Sequence, residues 1–226
     1  MGTQTETAGM DANREARRLL KGTKTDIGTR KIDLVLRGIA GSPLVVHNFS
    51  DKARSEIRDK QQKKAKKAKE ERKPEQEFEA AKYYNEKGQE CVRVETIKKS
   101  MVSAGTAMDN MTKVAIRQAL FVQPLTDLTS QLIPIEDYEG KPARGVMRED
   151  AVTIGINTRG LAYRPEYKEW QLRVRVEYNP RLISEDQLLA LTGFAGWGVG
   201  ICEGRPERTS ALGWGRYECV SWEEVP

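Results

Sequence analysis

The chain has 226 residues, of which 38% are hydrophobic and 31% are charged, and it carries a formal net charge of +5. This length fits one large domain or two small ones, and the composition predicts a folded core with polar segments attached. No apolar run approaches the ~18 residues of a membrane span, and residues 1–13 lack the apolar core of a secretory signal. We therefore expect a cytoplasmic protein without a membrane partner.

Cysteine and histidine usage argues against metal sites and disulfide bonds. Cys91, Cys202 and Cys219 are odd in number and form no Cys-x-x-Cys pair, so neither a zinc site nor a disulfide framework is indicated. His47 is the only histidine, which excludes a site built from several histidines. We expect no metal and no cofactor.

Positive charge is concentrated between Lys52 and Lys73. This segment holds 11 basic and 4 acidic residues, a net charge of +7, whereas the rest of the chain holds 27 basic and 29 acidic residues, a net charge of −2. Such a block attracts polyanions through Coulomb forces and counterion release. A solvated helix that serves only solubility is the alternative. The candidate nucleic-acid contacts in this segment are Lys60, Lys63, Lys64, Lys66 and Lys67.

The first quarter of the chain reads as a tail, a strand and an inserted helix. Residues 1–29 are predicted to form a mobile tail, and residues 30–226 a single domain. Lys31 to Leu36 alternates between apolar and polar residues, which predicts a strand. A helix from Lys52 that ends at Pro74 has almost no apolar stripe, so residues 50–76 are predicted to be a basic helical insertion.

The middle of the chain predicts two helices and a long insertion. Phe78 begins a short amphipathic helix that closes at Gly88, and Thr96 begins a second helix whose apolar stripe packs in the core. Lys113 to Val122 is apolar enough for a strand or a helix. Residues 123–150, rich in Pro and Gly, are predicted to form a loop or an extended hairpin, followed by a strand at 151–156 and a turn at 157–160.

The clearest strand runs from Glu169 to Tyr178. Trp170 and every second residue after it are apolar and share one face, whereas Arg173 and Arg175 share the other, which predicts a buried side and a basic open side. Ser184 is predicted to cap a helix, with Gln187 completing a capping box. A closing strand follows at Arg216 to Trp222.

The order strand, helix, strand, strand, helix, strand is that of the split βαβ unit. The sequence therefore predicts an α+β, ferredoxin-like fold, similar to RNA-recognition modules, with a four-stranded sheet, two helices and insertions. One face of such a sheet is free of helices, and RNA-recognition modules bind single strands there.

Three stretches resemble parts of one known family. They are Val35 to Pro43, a strand with a small-residue loop; Thr96 to Ala104, the start of a helix; and Leu188 to Arg216, a helix that runs into a glycine-rich loop. Together they resemble the RAMP superfamily, whose ferredoxin-fold members form backbone and processing subunits of CRISPR effector complexes. The chain also resembles uncharacterised bacteriophage proteins that share the stretch from Pro43 to Ser50. The resemblance implies RNA or single-stranded DNA bound along the sheet and the glycine-rich loop, and for a phage relative it implies the bacterial host cytoplasm.

The glycine-rich stretch from Gly193 to Gly215 is a candidate phosphate site. Glycine lets backbone N–H groups approach phosphates, and arginines among the glycines can pair with them. Tight turns beside the closing strand are the alternative. The candidate contacts here are Gly198, Gly200, Arg205, Arg208, Gly213, Trp214, Gly215 and Arg216.

A second candidate surface combines charge with aromatic rings. Arg173 and Arg175 lie on the open strand face, and Arg159 and Arg164 are predicted to lie in the turn before it. Tyr163, Tyr167 and Trp214 offer stacking platforms of the kind that sequence-independent single-strand binding uses. An ordinary solvated sheet face is the alternative, and Trp170 and Trp222 are assigned to the core.

Three functions fit these features. The first is non-catalytic binding of single-stranded nucleic acid, with several copies coating the strand as a homo-oligomer. The second is a ribonuclease with His47 as general base and Lys98 as the cation for the phosphate, although a histidine bonded to backbone in a turn is the simpler interpretation. The third is a virion or assembly component whose basic arm contacts protein partners.

Overall fold

Ten strands and four α-helices make up the described part of the chain, which in this computed structural model is residues 28–48, 58, 61–62, 72–109, 111–154, 158–208 and 212–225. None of the helices described there is long and apolar enough to cross a membrane. The strands are β1 (Arg30–Gly38), β2 (Leu44–Val45), β3 (Tyr83–Tyr84), β4 (Glu90–Arg93), β5 (Leu120–Pro124), β6 (Leu132–Pro134), β7 (Val146–Ile154), β8 (Thr158–Tyr167), β9 (Gln171–Tyr178) and β10 (Tyr217–Val225). The helices are α1 (Pro74–Ala80), α2 (Val94–Ala104), α3 (Lys113–Ala119) and α4 (Glu185–Phe194).

A four-stranded antiparallel sheet forms the centre of the fold, with strand order β10-β1-β9-β5. Along the chain these strands alternate with two helices, as β1-α2-β5-β9-α4-β10. This is the split βαβ arrangement in which the first and third strands lie at the centre. The predicted α+β, ferredoxin-like fold class is confirmed.

Strict alternation places the core on the helix side of this sheet. Ile32, Leu34 and Leu36 of β1 are at most 1% exposed, and Trp170, just before β9, and Tyr178, its last residue, are equally buried. Helices α2 and α4 contact each other and cover that side. Trp170 was correctly assigned to the core, and Trp222 packs against it while remaining partly exposed.

The predicted cap of the last helix is confirmed. The Ser184 hydroxyl accepts a hydrogen bond from the Gln187 amide at 3.2 Å, and the Gln187 side chain accepts one from the Ser184 amide at 2.9 Å. This capping box satisfies two donors that a helix otherwise leaves open at its start. A π-helical turn, Ala195–Val199, extends α4 into the glycine-rich stretch.

The helix predicted from Phe78 to Gly88 is wrong in its bounds. Pro74 begins α1 at a first-turn position, where its missing N–H removes no hydrogen bond, and α1 ends at Ala80. Tyr83–Tyr84 then pairs with β4 through a turn in which Gly88 has a φ of +69°. The basic helix predicted before Pro74 lies almost entirely outside the described residues.

The one segment that the sequence left open between strand and helix contains both, and the segments after it differ from the prediction in their bounds. Residues 113–122 form α3 and then most of β5, and the Thr112 hydroxyl caps α3 by accepting from the Ala115 amide at 3.1 Å. Residues 123–150 contain β6 and the first part of β7, so the strand expected at 151–156 begins earlier. The turn expected at 157–160 overlaps the start of β8.

A buried carboxylate ties two inserted elements together. Glu90 of β4 is 2% exposed, and its Oε2 accepts hydrogen bonds from the Gly145 amide and the Tyr167 hydroxyl, both at 2.7 Å. Its Oε1 lies 3.4 Å from the Lys82 ammonium, whose side chain is also buried. The small sheet β3-β4-β6 is thereby fixed to the β7–β8 ribbon, because an unpaired carboxylate at this depth is strongly unfavourable.

Candidate nucleic-acid interface

The open face of the four-stranded sheet carries balanced charge. Arg175 donates two hydrogen bonds to Asp33, at 2.7 and 2.8 Å, and Arg173 donates one to Glu136 at 2.8 Å. Glu218 and Glu223 of β10 add two more carboxylates, because they pair with β1 residues that lie on this open face. The prediction of a basic face is corrected, because the guanidinium groups of Arg173 and Arg175 already have carboxylate partners. Nucleic-acid contact by Arg173 and Arg175 stays a prediction.

Strand β8 contains Arg159 and Arg164, which were expected in a turn. Arg159 is exposed, whereas the Arg164 side chain is only 12% exposed and lies 3.9 Å from Asp150. Tyr167 is 3% exposed and its hydroxyl donates to Glu90, so it offers no ring face for stacking. The part of this surface open to a ligand is therefore smaller than the sequence suggested.

The glycine-rich stretch docks closely on the rest of the molecule. The Gly215 amide donates to Pro43 at 2.9 Å, the Gly200 amide to Ala195 at 2.8 Å and the Trp214 amide to Gly204 at 3.1 Å. Gly215 has a φ of +65°, and a Cβ there would lie 2.0 Å from the Ile201 carbonyl. These N–H groups are used within the protein, and the glycines permit close backbone approach. Phosphate contact by Gly200, Gly213 and Gly215 stays a prediction.

Two tryptophans of this stretch stack with arginines outside it. The Arg216 guanidinium lies 3.9 Å from the ring centre of Trp197, and the Arg148 guanidinium lies 4.2 Å from that of Trp214. Trp197 is 65% exposed. The sequence analysis missed Trp197 because nothing in the local pattern separates an exposed tryptophan from a buried one. Gly198 beside it is exposed and has open space around it.

A cleft of about 700 Å³ brings together four of the predicted nucleic-acid contacts and the candidate general base, His47. Its walls are α2, α3, the chain after β2 and the loop at 200–208. We call it the basic cleft. The predicted residues that line it are Lys98, Gly200, Arg205, Arg208 and His47, and the cations that the sequence analysis did not select are Arg93, Lys99, Lys113 and Arg117.

The charge of the basic cleft is only partly compensated. Seven Lys or Arg side chains face three glutamates in its lining. Arg93 and Lys99 share Glu95 at 3.3 and 3.5 Å, and Arg205 lies 3.4 Å from Glu207. The other four cations have no carboxylate within 4 Å among the described residues: Lys98, Lys113, Arg117 and Arg208. Lys113 and Arg117 could have been selected from the sequence as a pair of cations, since residues four apart share a helix face.

His47 and Lys98 both lie in this cleft, and burial affects both. Burial lowers the pKa of His47, which the charge of Glu203, 4.0 Å away, partly offsets. Burial also lowers the pKa of Lys98, whose ammonium lies 4.2 Å from the ring centre of Phe121. Within the described ranges, no three His, Cys, Asp or Glu side chains are grouped as metal ligands. Lys60, Lys63, Lys64, Lys66 and Lys67 lie outside the described residues.

Comparison with known proteins gives distant structural likenesses, one of which is described here. No protein-family model and no curated protein matches the sequence. A chain in the cryo-EM structure of the Type III-B Cmr-beta bound to cognate target RNA is similar with a TM-score of 0.40 and 11% identity. The match covers 95% of this chain and 66% of that one. A likeness this distant identifies neither a family nor a function.

Proposed function

We propose that this protein binds single-stranded nucleic acid without cleaving it, with the phosphates held in the basic cleft. The observation that carries this proposal is the set of four cleft cations, Lys98, Lys113, Arg117 and Arg208, that have no carboxylate within 4 Å among the described residues. Glu207 acts on Lys113 only at longer range. Uncompensated cations in a recess attract phosphates strongly, because the low-dielectric walls focus their field.

The shape of the site favours a single strand over a duplex. The basic cleft is a recess between two helices and a loop, and Thr96, Ser100 and Ser103 add hydroxyl groups to its lining. A single strand can enter such a recess. A duplex is normally read by an element that projects into its groove.

The basic segment from Lys52 to Lys73 starts five residues after His47 in the sequence, and His47 lies in the wall of this cleft. We propose that the lysines of this segment add affinity and salt dependence to binding in the cleft. Removing residues 52–73 should then weaken binding and flatten its salt dependence, because fewer counterions are released.

Several copies are proposed to line up along one strand. Membership of the RAMP superfamily, which three sequence stretches suggest, remains a prediction, as does a phage source. Sedimentation of the protein with strands of increasing length tests the multimer, which requires stoichiometry to rise in steps with strand length. A protein partner would instead give an assembly that survives nuclease treatment and carries no nucleic-acid absorbance.

A binding titration tests the function itself. Fluorescent oligo(U), oligo(dT) and duplex DNA are titrated with the protein at ~50 mM and ~200 mM salt, and we expect tight, salt-sensitive binding of single strands. The variant Lys113→Glu/Arg117→Glu should lose this binding, whereas Lys87→Glu/Lys168→Glu, which reverses two exposed cations outside the cleft, should keep it. Absence of binding to every probe at low salt removes the proposal.

Ribonuclease activity is a second candidate, favoured by the presence of His47 and Lys98 in one cleft. Burial lowers the pKa of His47, so the imidazole is neutral at pH 7 and has the form that a general base needs. Labelled RNA incubated with wild type, His47→Ala and Lys98→Ala decides between the two functions. Cleavage that both substitutions abolish supports the enzyme, and no cleavage, or cleavage unchanged by His47→Ala, excludes it.

A further inference from the structure

Phe121 is a large aromatic side chain left exposed at the edge of the central sheet. It lies on β5, between Leu120 and Val122, which are 0% and 7% exposed and face the core. Phe121 itself is 54% exposed and pairs across the sheet with Glu177 of β9. Alternation thus turns its ring out of the core on a strand that ends the sheet, where a ligand can reach it.

Lys98 links this ring to the basic cleft. Its ammonium lies 4.2 Å from the ring centre of Phe121, and its side chain lines both the basic cleft and a second, smaller cleft. No carboxylate lies within 4 Å of Lys98 in the part of the chain that the structure describes. A phosphate bound by Lys98 would therefore have its base or its neighbour's base within reach of Phe121.

The smaller cleft has the chemistry of a base site. Its volume is about 330 Å³, within the ~300–1,000 Å³ of small-molecule sites. Phe121 and Leu128 supply apolar surface, and the amides of Gln123 and Gln131 supply hydrogen-bond donors and acceptors. The lining also contains two carboxylates, Glu95 and Glu177, which can accept hydrogen bonds from the N–H groups of a base. A nucleobase has this combination, with flat apolar faces and polar edges.

We propose that Phe121 stacks with one base of the bound single strand, and that this base occupies the smaller cleft while Lys98 holds the adjoining phosphate. The proposal rests on the proposed function and extends it from the backbone to a base. The ammonium of Lys98 lies over one face of the ring, so the base takes the opposite face. Stacking of this kind tolerates any sequence, because every base has a π-face.

Binding measured on two Phe121 variants tests the site. Fluorescent oligo(dT) and oligo(U) of about 16 nucleotides, the upper end of known single-strand sites, are titrated with each protein. Phe121→Ala should weaken binding about 10-fold, as loss of one stacked base does, and Phe121→Trp should restore it. Phe194→Ala is the matched control, since Phe194 is 47% exposed but lies outside both clefts, and it should bind as wild type does.

Single abasic positions scanned along the oligo(dT) add a readout that a structural role would not change. One position should weaken binding to wild type and leave binding to Phe121→Ala unaffected, because the ring and the base act as a pair. Wild-type affinity in Phe121→Ala overturns the base site and leaves the proposed function standing. A Phe121→Ala protein that changes from dimer to monomer overturns it in favour of a contact between copies at the β5 edge. A wild type that binds no strand overturns both.

Discussion

The open face of the four-stranded sheet and the basic cleft contain similar residues and differ in how those residues are paired. On the face, Arg175 is held by two hydrogen bonds to Asp33, and Arg173 by one to Glu136. In the cleft, Lys113 and Arg208 have no carboxylate within 4 Å among the described residues. The same side-chain charge therefore stabilises the fold in one region and remains available to a ligand in the other.

This difference shows why a count of the basic residues along a strand overstates the capacity of that strand to bind phosphates. A guanidinium already bonded to a carboxylate must lose that partner before it can pair with a phosphate, and its net field is small. The partner of Arg175 lies 142 residues away in sequence. Pairing at this separation is decided by sheet topology, which a local pattern does not contain.

The largest expected effect comes from the π-helical turn Ala195–Val199, which leads into the loop at 200–208 that forms one wall of the basic cleft. A Cβ at Gly196 would lie 1.9 Å from the Tyr217 carbonyl, whereas at Gly198 nothing lies within 4 Å. Gly196→Ala should lower the free energy of unfolding by about 2–4 kcal/mol, and Gly198→Ala should change it little. Urea denaturation of both variants measures this, and equal stability would show that the turn is not docked as described.

Single cation deletions compare the two regions directly. Arg208→Ala should weaken single-strand binding about 5-fold and reduce the slope of log affinity against log salt by about 0.7, the value for one phosphate contact on a single strand. Arg173→Ala should leave both quantities close to wild type, because Glu136 already neutralises Arg173. Titration over a range of salt concentrations gives both numbers, and the reverse result would move the site to the sheet face.

Removing a carboxylate from the face should release an arginine. Asp33→Asn takes away the charge that holds Arg175, so single-strand affinity should rise by about 2-fold while the free energy of unfolding falls by about 1 kcal/mol. Titration and thermal melting measure the two effects. An increase in affinity larger than the loss caused by Arg208→Ala would contradict the assignment of the main site to the cleft.

The smallest expected effect is a pH dependence from His47. Its folded-state pKa is lowered, so the folded protein binds fewer protons than the unfolded chain, and the stability due to neutral His47 is lost as pH falls below about 6.5 and through the folded-state pKa. Protonation also adds one positive charge to the cleft, so single-strand affinity should rise by about 2-fold as the pH falls from about 7.5 through the folded-state pKa. His47→Gln should remove this increase, and an identical pH profile in that variant would assign it to another group.

The central strands and the last helix could be predicted because their signals are local. Alternation marks β1 and β9, and Ser184 with Gln187 marks the start of α4. The short strands could not be predicted in this way. Tyr83–Tyr84 has two residues and pairs only through contacts with β4, so no period can develop within it.

The candidate site was predictable in its residue types and not in its assembly. Lys98, Arg205 and Arg208 were selected from their own segments, and the fold brings them into one cleft. Phe121 was passed over because its neighbours in sequence are apolar core residues. Alternation turns that ring out of the core, and the end position of β5 in the sheet leaves it accessible.

The central position of β1 has a consequence for synthesis of the chain. Both hydrogen-bonding neighbours of β1, β9 and β10, come from the last third of the sequence. During translation Ile32, Leu34 and Leu36 therefore remain without their sheet partners until most of the chain has been synthesised. Contacts so distant in sequence slow folding, and an early apolar strand is a target for chaperones. We expect the nascent chain to depend on such protection more than the finished protein does.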